Sequence, residues 1–185
     1  MFETIENLDR ALSITINHFH SPAIDDLMIL VSNKLTWIPL YLFVTILMLY
    51  KRGLKPTLLF LGICALTVVL TDQISVWMKT EIGRYRPCHN SDLFSLLHLP
   101  AGCGGLYGFV SSHAANTMGI AVLVSKAFKK HWITAMMVLY ALVNGYSRIY
   151  LGKHYLLDVA GGFALGAVIG MATYQLFRVA MNKLK

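Results

Sequence analysis

The chain is short of charge. Of its 185 residues only 14% are Asp, Glu, Lys or Arg, whereas 56% are hydrophobic, and the mean hydropathy is +0.59. Soluble domains carry about 25% charged residues, so the sequence lacks the polar surface of an ordinary soluble globule and the composition of a disordered or collagen-like chain. Its three cysteines are too few for a disulfide scaffold. The length allows one domain, and the composition indicates an integral membrane protein.

Long apolar runs supply the membrane spans. A helix that crosses a bilayer needs about 20 mostly apolar residues, and five segments approach that length: 26–50, 56–78, 110–127, 131–150 and 156–178. The first is interrupted by Ser32, Asn33 and Lys34. We therefore expect an all-α, integral membrane helical bundle of about five to six transmembrane helices, forming a single domain over 1–185.

Two segments differ from the spans. Residues 1–24 lack the basic start of a signal peptide, and their apolar side chains recur at helical spacing: Ile5, Leu8, Leu12, Ile16 and Phe19. This pattern predicts an amphipathic helix in the membrane interface; a soluble helix packed on a loop is the alternative. Residues 80–109 are polar and without helical periodicity, and a loop of that length is commonly functional.

The basic residues are divided unevenly between the two ends of the bundle. Nine of the sixteen lie in short loops and in the C-terminal segment on one side: Lys51, Arg52, Lys55, Lys126, Lys129, Lys130, Arg178, Lys183 and Lys185. Because Lys and Arg accumulate in cytoplasmic loops, we expect the 80–109 loop to be extracytoplasmic. The formal net charge of +7 then belongs to membrane flanks and site residues, and no nucleic-acid partner is expected.

Cationic and hydroxyl side chains collect at the outward end. Lys79 ends the second span, Arg86 follows in the loop, and Arg148 ends the fourth span. Two guanidinium groups and an ammonium group suit an anion with several oxygens, above all phosphate. Ser111 and Ser112 open the third span, where backbone N–H groups and the helix dipole also favour an anion. Ionisable residues at spans indicate a functional site.

Two histidines and an aspartate share this end. His154 and Asp158 are four residues apart at the start of the fifth span, and therefore on one helical face. The carboxylate can accept a hydrogen bond from one ring nitrogen and leave the other free as a nucleophile. His113 offers a second imidazole for proton transfer. An interfacial salt bridge would explain a lone His-x3-Asp pair, but not one beside three cations and a second histidine.

These residues resemble the three motifs of the type 2 phosphatidic acid phosphatase (PAP2) superfamily, which also includes vanadium haloperoxidases. The first motif, Lys-x6-Arg-Pro, resembles Lys79–Pro87, and the third, Ser-Arg-x5-His-x3-Asp, resembles Ser147–Asp158. The second is usually Pro-Ser-Gly-His, and the corresponding stretch here, 110–113, is Val-Ser-Ser-His. Two of its four positions therefore differ, while the serine and the histidine are kept.

The resemblance implies a metal-independent lipid phosphatase with a PAP2/haloperoxidase-like core. It implies that His154 attacks phosphorus and forms a phosphohistidine, that Asp158 orients His154, and that His113 protonates the leaving group. The transferring phosphoryl group would be neutralised, as phosphoryl transfer chiefly requires, by Lys79, Arg86, Ser111, Ser112 and Arg148. No cofactor or metal is expected, and the sequence has no Asp/Glu cluster at this end.

The short, all-membrane bacterial members of the superfamily are the most similar. By this resemblance the partner is a membrane lipid phosphate or pyrophosphate, of the undecaprenyl pyrophosphate, phosphatidylglycerol phosphate, phosphatidic acid or lipid A class. The implied location is the bacterial cytoplasmic (inner) membrane, with the active site facing the periplasm or exterior.

Three other functions remain open from the sequence. Vanadate bound in the same pocket would give an oxidoreductase, although the haloperoxidases are soluble and larger. An anion transporter or channel would need charged residues near the midplane of several spans, whereas here they gather at one end. A non-catalytic lipid-phosphate-binding protein is favoured only by the altered second motif.

Two spacings bear on packing. Cys88 and Cys103 both lie in the outward loop, where an oxidising compartment permits a disulfide; two free thiols are the alternative. Gly162, Gly166 and Gly170 form a small-x3-small row in the last span. The row predicts close helix packing within the monomer, or else a dimer face.

Overall fold

The computed structural model describes residues 2–184, and over that range it is helical, with one isolated bridge between Tyr85 and Tyr107 in place of a sheet. The eight α-helices of this range are α1 (Phe2–His18), α2 (Pro22–Ser32), α3 (Ile38–Arg52), α4 (Leu54–Ile82), α5 (Ser91–Phe94), α6 (Ser112–Phe128), α7 (His131–Tyr150) and α8 (Leu156–Lys183). Short 3-10 helices cover Lys34–Trp37 and Pro87–His89.

Three of the helical stretches are long and apolar enough to cross a membrane: Lys34–Arg52, Leu54–Ile82 and Leu156–Lys183. They confirm an all-α membrane protein. The helices α6 and α7, of 17 and 20 residues, lie where the third and fourth spans were predicted.

The span predicted at 26–50 is present, but its predicted start is wrong, because the stretch long enough to cross a membrane is Lys34–Arg52. The helix α2 ends at Ser32, and Asn33 then takes an extended backbone with φ −81° and ψ 127°. The Asn33 side chain accepts a hydrogen bond from the Leu35 N–H at 3.0 Å, and so starts the short helix that leads into α3. The polar interruption therefore marks a helix boundary, and the apolar stretch begins at Lys34.

The helix α6 lies at the centre of the bundle and packs against α4, α7 and α8. The glycine row of α8 makes its contact with α6: a Cβ added at Gly162 would lie 2.6 Å from the Ser111 carbonyl oxygen, and one at Gly170 would lie 2.5 Å from the Gly119 carbonyl oxygen. A side chain does not fit at either position, so the row permits close helix packing inside the monomer.

The helix α1 turns its apolar side outward. Ile5 and Leu8 are 47% and 59% exposed, as expected for a helix whose apolar face meets lipid. On its inner side, at i, i+4 and i+8, Asp9, Ser13 and Asn17 are buried against the rest of the chain. The predicted amphipathic helix is present, and part of its polar face packs on the protein.

The segment 80–109 has more structure than a plain loop. Its start belongs to α4, and it also contains α5 and the helical turn Pro87–His89. A disulfide joins Cys88 to Cys103 with a Cα–Cα distance of 5.8 Å, which confirms the pairing that an oxidising compartment permits. The bond closes the segment that follows Arg86 and ties it to the end of the loop.

Candidate active site

The candidate site lies at one end of the bundle, where four parts of the chain meet. These are the end of α4 with the loop after it, the start of α6, the end of α7 and the start of α8. Lys79 donates a hydrogen bond to the Ser112 hydroxyl, and the Ser111 N–H donates to the Asp158 carbonyl oxygen at 2.9 Å. The structure thus brings together residues that are as much as 79 positions apart.

The Asp158 carboxylate holds the His154 ring. His154 lies in the turn between α7 and α8 and is 2% exposed, and its Nδ1 is 3.3 Å from Oδ2 of Asp158. The same oxygen accepts a hydrogen bond from the Tyr155 N–H at 3.0 Å, so the carboxylate also caps the first turn of α8. When Nδ1 carries the proton of this contact, the lone pair remains on Nε2.

Burial, together with the positive charge around it, keeps the His154 ring neutral. Burial, and after it the positive charges of Arg86 and Arg148, hold the pKa of the His154 imidazole well below its ordinary value. At pH 7 the ring is therefore neutral, with one nitrogen protonated and the other free to act as a nucleophile. The turn that carries it needs Gly152, whose φ of +67° lies in the left-handed region.

The start of α6 presents hydroxyl groups to this end of the bundle. Ser112 accepts hydrogen bonds from Lys79 and from the Ser75 hydroxyl, the latter at 2.7 Å. Ser111 occupies the N-cap position of α6 but does not use its side chain for capping. Its hydroxyl is buried, with no hydrogen-bond partner among residues 2–184. This orphaned donor lies beside the backbone N–H groups that begin a helix, a favourable place for an anion.

Two arginines of the predicted set are oriented by the backbone and by a serine. The Arg86 Nε donates to the Tyr107 carbonyl oxygen at 3.1 Å, which leaves its two terminal nitrogens for other partners. Arg148 is 7% exposed and donates one hydrogen bond to Ser32, while its Nε is buried without a partner in the described part of the chain. Both guanidinium groups retain donors that a phosphate could accept.

Two cavities, each of about 530 Å³, share His113 and Lys34 in their linings. The first, here called the polar cavity, is lined by Lys34, Arg148 and Lys153 together with apolar side chains, and no acidic side chain among the described residues lines it. The second, the apolar cavity, runs between helices and is lined mostly by apolar side chains, among them Trp37, Val44, Phe60, Leu61, Val68, Ile120, Val124 and Met137. Cationic groups at the first cavity and apolar surface at the second suit a molecule with a charged head and an apolar tail.

One other group of residues could hold a metal by its atom types. Cys88, His89 and Cys103 have ligand atoms within 4.8 Å of one another. The two sulfurs are bonded to each other, so neither is a thiolate, the form that binds metals. The cluster therefore acts as a covalent tie in the loop.

Two residues that contact the candidate site, Arg84 and Asp9, were not predicted from the sequence. The Arg84 Nη1 donates to Oδ1 of Asp158 at 2.8 Å, and its Nη2 donates to Oδ2 of Asp9 at 2.6 Å. The available signal was the spacing of Asp9, Ser13 and Asn17, which places three polar side chains in one row along a helix. Lys34 was noted only as an interruption of a span.

Comparison with known proteins gives a consistent result. Residues 56–181 match the family model described as the PAP2 superfamily. The chain is 31% identical over 183 residues to the lipid A 4'-phosphatase of Porphyromonas gingivalis, covering 98% of this chain and 78% of that protein. It is 33% identical over 177 residues to the lipid A 4'-phosphatase of Bacteroides thetaiotaomicron, covering 94% of this chain and 79% of that protein.

The fold also matches a solved structure. The transmembrane PAP2 type phosphatidylglycerolphosphate phosphatase from Bacillus subtilis superposes with a TM-score of 0.70 at 22% sequence identity, covering 98% of this chain and 88% of that one. The similarity establishes that the helices of the two proteins share one arrangement.

Proposed function

We propose, from the premise that this chain belongs to the PAP2 superfamily and is a membrane lipid phosphatase, that it hydrolyses a lipid phosphate at the outer face of the membrane through a phosphohistidine. One observation carries the proposal. The buried His154–Asp158 pair lies among three cationic side chains that form no salt bridge within the described residues: Lys79, Arg86 and Arg148. Charges in a protein interior require a partner, and a phosphate dianion is the partner that this set fits.

In the proposed first step the Nε2 lone pair of His154 attacks phosphorus, and the bond from phosphorus to the lipid oxygen breaks. Asp158 keeps the proton on Nδ1 and stabilises the positive charge that develops on the ring. His113 gives a proton to the departing oxygen. The non-bridging oxygens meet the cationic groups and the hydroxyl groups of Ser111 and Ser112, which stabilise the transition state.

In the proposed second step a water molecule attacks the phosphohistidine. His113 accepts a proton from that water, the bond between nitrogen and phosphorus breaks, and inorganic phosphate leaves. His154 returns to its neutral form. Neither step needs a metal, because the charge of the phosphoryl group is met by cationic side chains and hydroxyl groups.

The substrate that we propose is a phosphate group on a lipid of the lipid A class. Two relatives of that named activity align with nearly the whole chain at 31% and 33% identity. The two cavities support a lipid, since His113 and Arg148 of the proposed phosphate site line the polar cavity and the apolar cavity suits a hydrocarbon chain. Undecaprenyl pyrophosphate, phosphatidylglycerol phosphate and phosphatidic acid are the other lipids to compare.

We propose a topology in which α3, α4, α6, α7 and α8 span the cytoplasmic membrane as one domain. The basic loops face the cytoplasm, and the active site opens to the periplasm or exterior, an assignment that the Cys88–Cys103 disulfide supports. The apolar side of α1 lies in the outer interface. The active site then lies at headgroup depth.

The test is phosphate release by the purified protein in detergent, with excess EDTA, from a panel of lipid mono- and diphosphates. We expect release to persist with EDTA and to disappear in His154→Gln, which keeps the volume of the ring and removes the nucleophile. A phosphoenzyme that is stable to alkali and labile to acid should be trapped when the wild type is quenched in alkali during turnover, and it should be absent in His154→Gln.

Two outcomes would contradict the proposal. Loss of activity with EDTA, restored by a divalent metal, would exclude the metal-independent mechanism. A wild-type protein that hydrolyses no lipid in the panel, yet binds lipid phosphates in a manner that depends on Arg148, would favour a binding or transport protein instead.

A further inference from the structure

We infer that the N-terminal helix α1 is part of the active site, in which Asp9 and Arg84 are positioning residues that fix the Asp158 carboxylate. The inference rests on the proposed function, since it concerns how the proposed nucleophile is oriented. It adds two residues that the motifs of the resemblance do not specify: Asp9 lies outside them, and Arg84 occupies one of the unspecified positions between Lys79 and Arg86. It also gives a role in catalysis to a helix for which the sequence predicts a place in the membrane interface or, alternatively, packing on a loop.

A chain of charged contacts links α1 to His154. Oδ2 of Asp158 contacts Nδ1 of His154, and Oδ1 of Asp158 accepts a hydrogen bond from Arg84 at 2.8 Å. The other terminal nitrogen of Arg84 donates to Asp9 at 2.6 Å. The side chains of Asp9 and Asp158 are 1% and 0% exposed, and that of Arg84 is 20% exposed. One guanidinium fork therefore joins two buried carboxylates, and each of its ends has one partner.

Asp9 is itself held in a fixed position. Its remaining oxygen, Oδ1, accepts a hydrogen bond from the Leu157 N–H at 2.9 Å, in the first turn of α8. The helix that carries Asp158 is therefore bound to α1 at the residue next to Asp158. The guanidinium group of Arg84 also lies over the Tyr155 ring, 4.4 Å from its centroid. These contacts leave the Asp158 carboxylate few ways to turn away from His154.

The other two residues of the buried polar row on α1 are Ser13 and Asn17. Ser13 accepts a hydrogen bond from the Leu156 N–H at 2.9 Å. Asn17 is fully buried, donates to the carbonyl oxygens of Tyr150 and His98, and accepts from the His98 N–H. The row thus contacts the end of α7, the start of α8 and the outward loop, which are the segments around His154. Ser13 and Asn17 dock the helix, and only Asp9 belongs to the charged chain.

This division of roles gives matched variants on a single helix. Asp9→Asn keeps the acceptor for Leu157 but removes the charge opposite Arg84. Ser13→Ala removes a docking contact and leaves the charged chain intact. Glu6→Gln breaks an exposed ion pair with Arg10 and changes neither the docking contacts nor the charged chain. A fourth variant, Arg84→Gln in the loop after α4, removes the fork itself.

We expect Asp9→Asn and Arg84→Gln to lower kcat by about 10- to 100-fold, the usual loss when a group that orients a functional residue is removed. The KM for the lipid and the inhibition constant of inorganic phosphate should stay within about threefold, because the phosphate-binding groups are unchanged. Glu6→Gln should keep the wild-type kcat. Ser13→Ala should lower Tm but reduce kcat much less than Asp9→Asn.

A second measurement does not depend on turnover. In protein labelled with ¹⁵N-histidine, the His154 signals, assigned by their loss in His154→Gln, should show the form protonated on Nδ1. Asp9→Asn should shift His154 toward the other tautomer, whereas Glu6→Gln should not. If the wild type hydrolyses no lipid but the tautomer shifts, the proposed function fails and the positioning role stands.

Two results would overturn the inference. One is a folded Asp9→Asn protein with wild-type kcat and an unchanged His154 tautomer. The other is an equal fall of kcat in Asp9→Asn and Ser13→Ala at equal loss of Tm, which would reduce α1 to a stabilising element.

Discussion

The Gly108→Ala substitution tests whether the position of the Asp158 carboxylate sets the rate of the reaction. A Cβ added at Gly108 would lie 2.6 Å from Oδ2 of Asp158 and 3.4 Å from Cγ of Arg86. The backbone there is not in the left-handed region, so alanine brings no conformational strain of its own. The only severe conflict is with the oxygen that contacts His154.

The size of the effect follows from that distance. An ordinary contact begins at 3.4 Å, so Oδ2 must retreat by about 0.8 Å, the difference between 3.4 and 2.6 Å. Oδ2 is already 3.3 Å from Nδ1 of His154, and a hydrogen bond does not extend much beyond that length. A displacement near 1 Å in a catalytic group costs about 100-fold in rate. We therefore expect kcat to fall about 100-fold in Gly108→Ala.

The assay is phosphate release from the preferred lipid at saturating concentration, with Tm measured in the same detergent. Gly105→Ala is the matched control, because it lies in the same loop and nothing lies within 4 Å of its added Cβ. A Gly108→Ala protein that is folded and retains the kcat of Gly105→Ala would refute the reasoning, since the carboxylate could then move without loss of catalysis.

Three further predictions concern pH, the disulfide and the entrance of the site. Because the folded-state pKa of His154 is lowered, the unfolded chain binds more protons than the folded one below about pH 6.5. The free energy of unfolding therefore falls as the pH falls through that value, by at most about 1.4 kcal/mol per pH unit. Tm should fall less steeply with decreasing pH in His154→Gln than in the wild type, and an identical pH dependence of Tm would contradict this. One thiol should react in the denatured, non-reduced protein and three after reduction, and three reactive thiols before reduction would exclude the disulfide. Reduction should also lower Tm, because a cross-link that closes a 15-residue loop stabilises the fold by about 3 kcal/mol. Lys34→Gln should raise KM for the lipid about fivefold, the equivalent of about 1 kcal/mol, with kcat unchanged and Lys51→Gln as the control; a fall in kcat alone would exclude a binding role.

Much of the site could be predicted because span ends carry a simple rule. Hydropathy locates the spans, successive spans cross in opposite directions, and polar residues at alternate ends must then meet on one side. That rule is enough to group Lys79, His113, Arg148 and His154, and the structure brings them to one end of the bundle. The spacing of His154 and Asp158 on one helical face is likewise local information, and the observed contact is local.

The remaining contacts depend on how distant segments dock. Arg84 and Asp9 are 75 positions apart, and Asp9 and Leu157 are 148 apart. Helical periodicity shows that Asp9, Ser13 and Asn17 share a face of α1, but it does not show whether that face meets water or protein. The polar residues 32–34 were seen as an interruption of the first span but not as a helix boundary, because hydropathy averages over a polar residue whose capping contact starts a new helix.

The cations of the site are of two kinds, those paired with carboxylates and those not, and this difference explains why both are needed. Within the described residues Arg84 forms two salt bridges to buried carboxylates, whereas Lys79, Arg86 and Arg148 form none. A cation whose charge is already matched cannot bind a dianion strongly, and an unmatched one cannot hold a carboxylate still. In the proposed mechanism Arg84 serves the geometry of His154, and the unmatched cations serve the phosphate. Lys34, which lines the cavity beside Arg148, would belong to the second group. This division requires that Asp9→Asn change kcat at constant KM and that Lys34→Gln change KM at constant kcat, so a shared pattern in the two variants would contradict it.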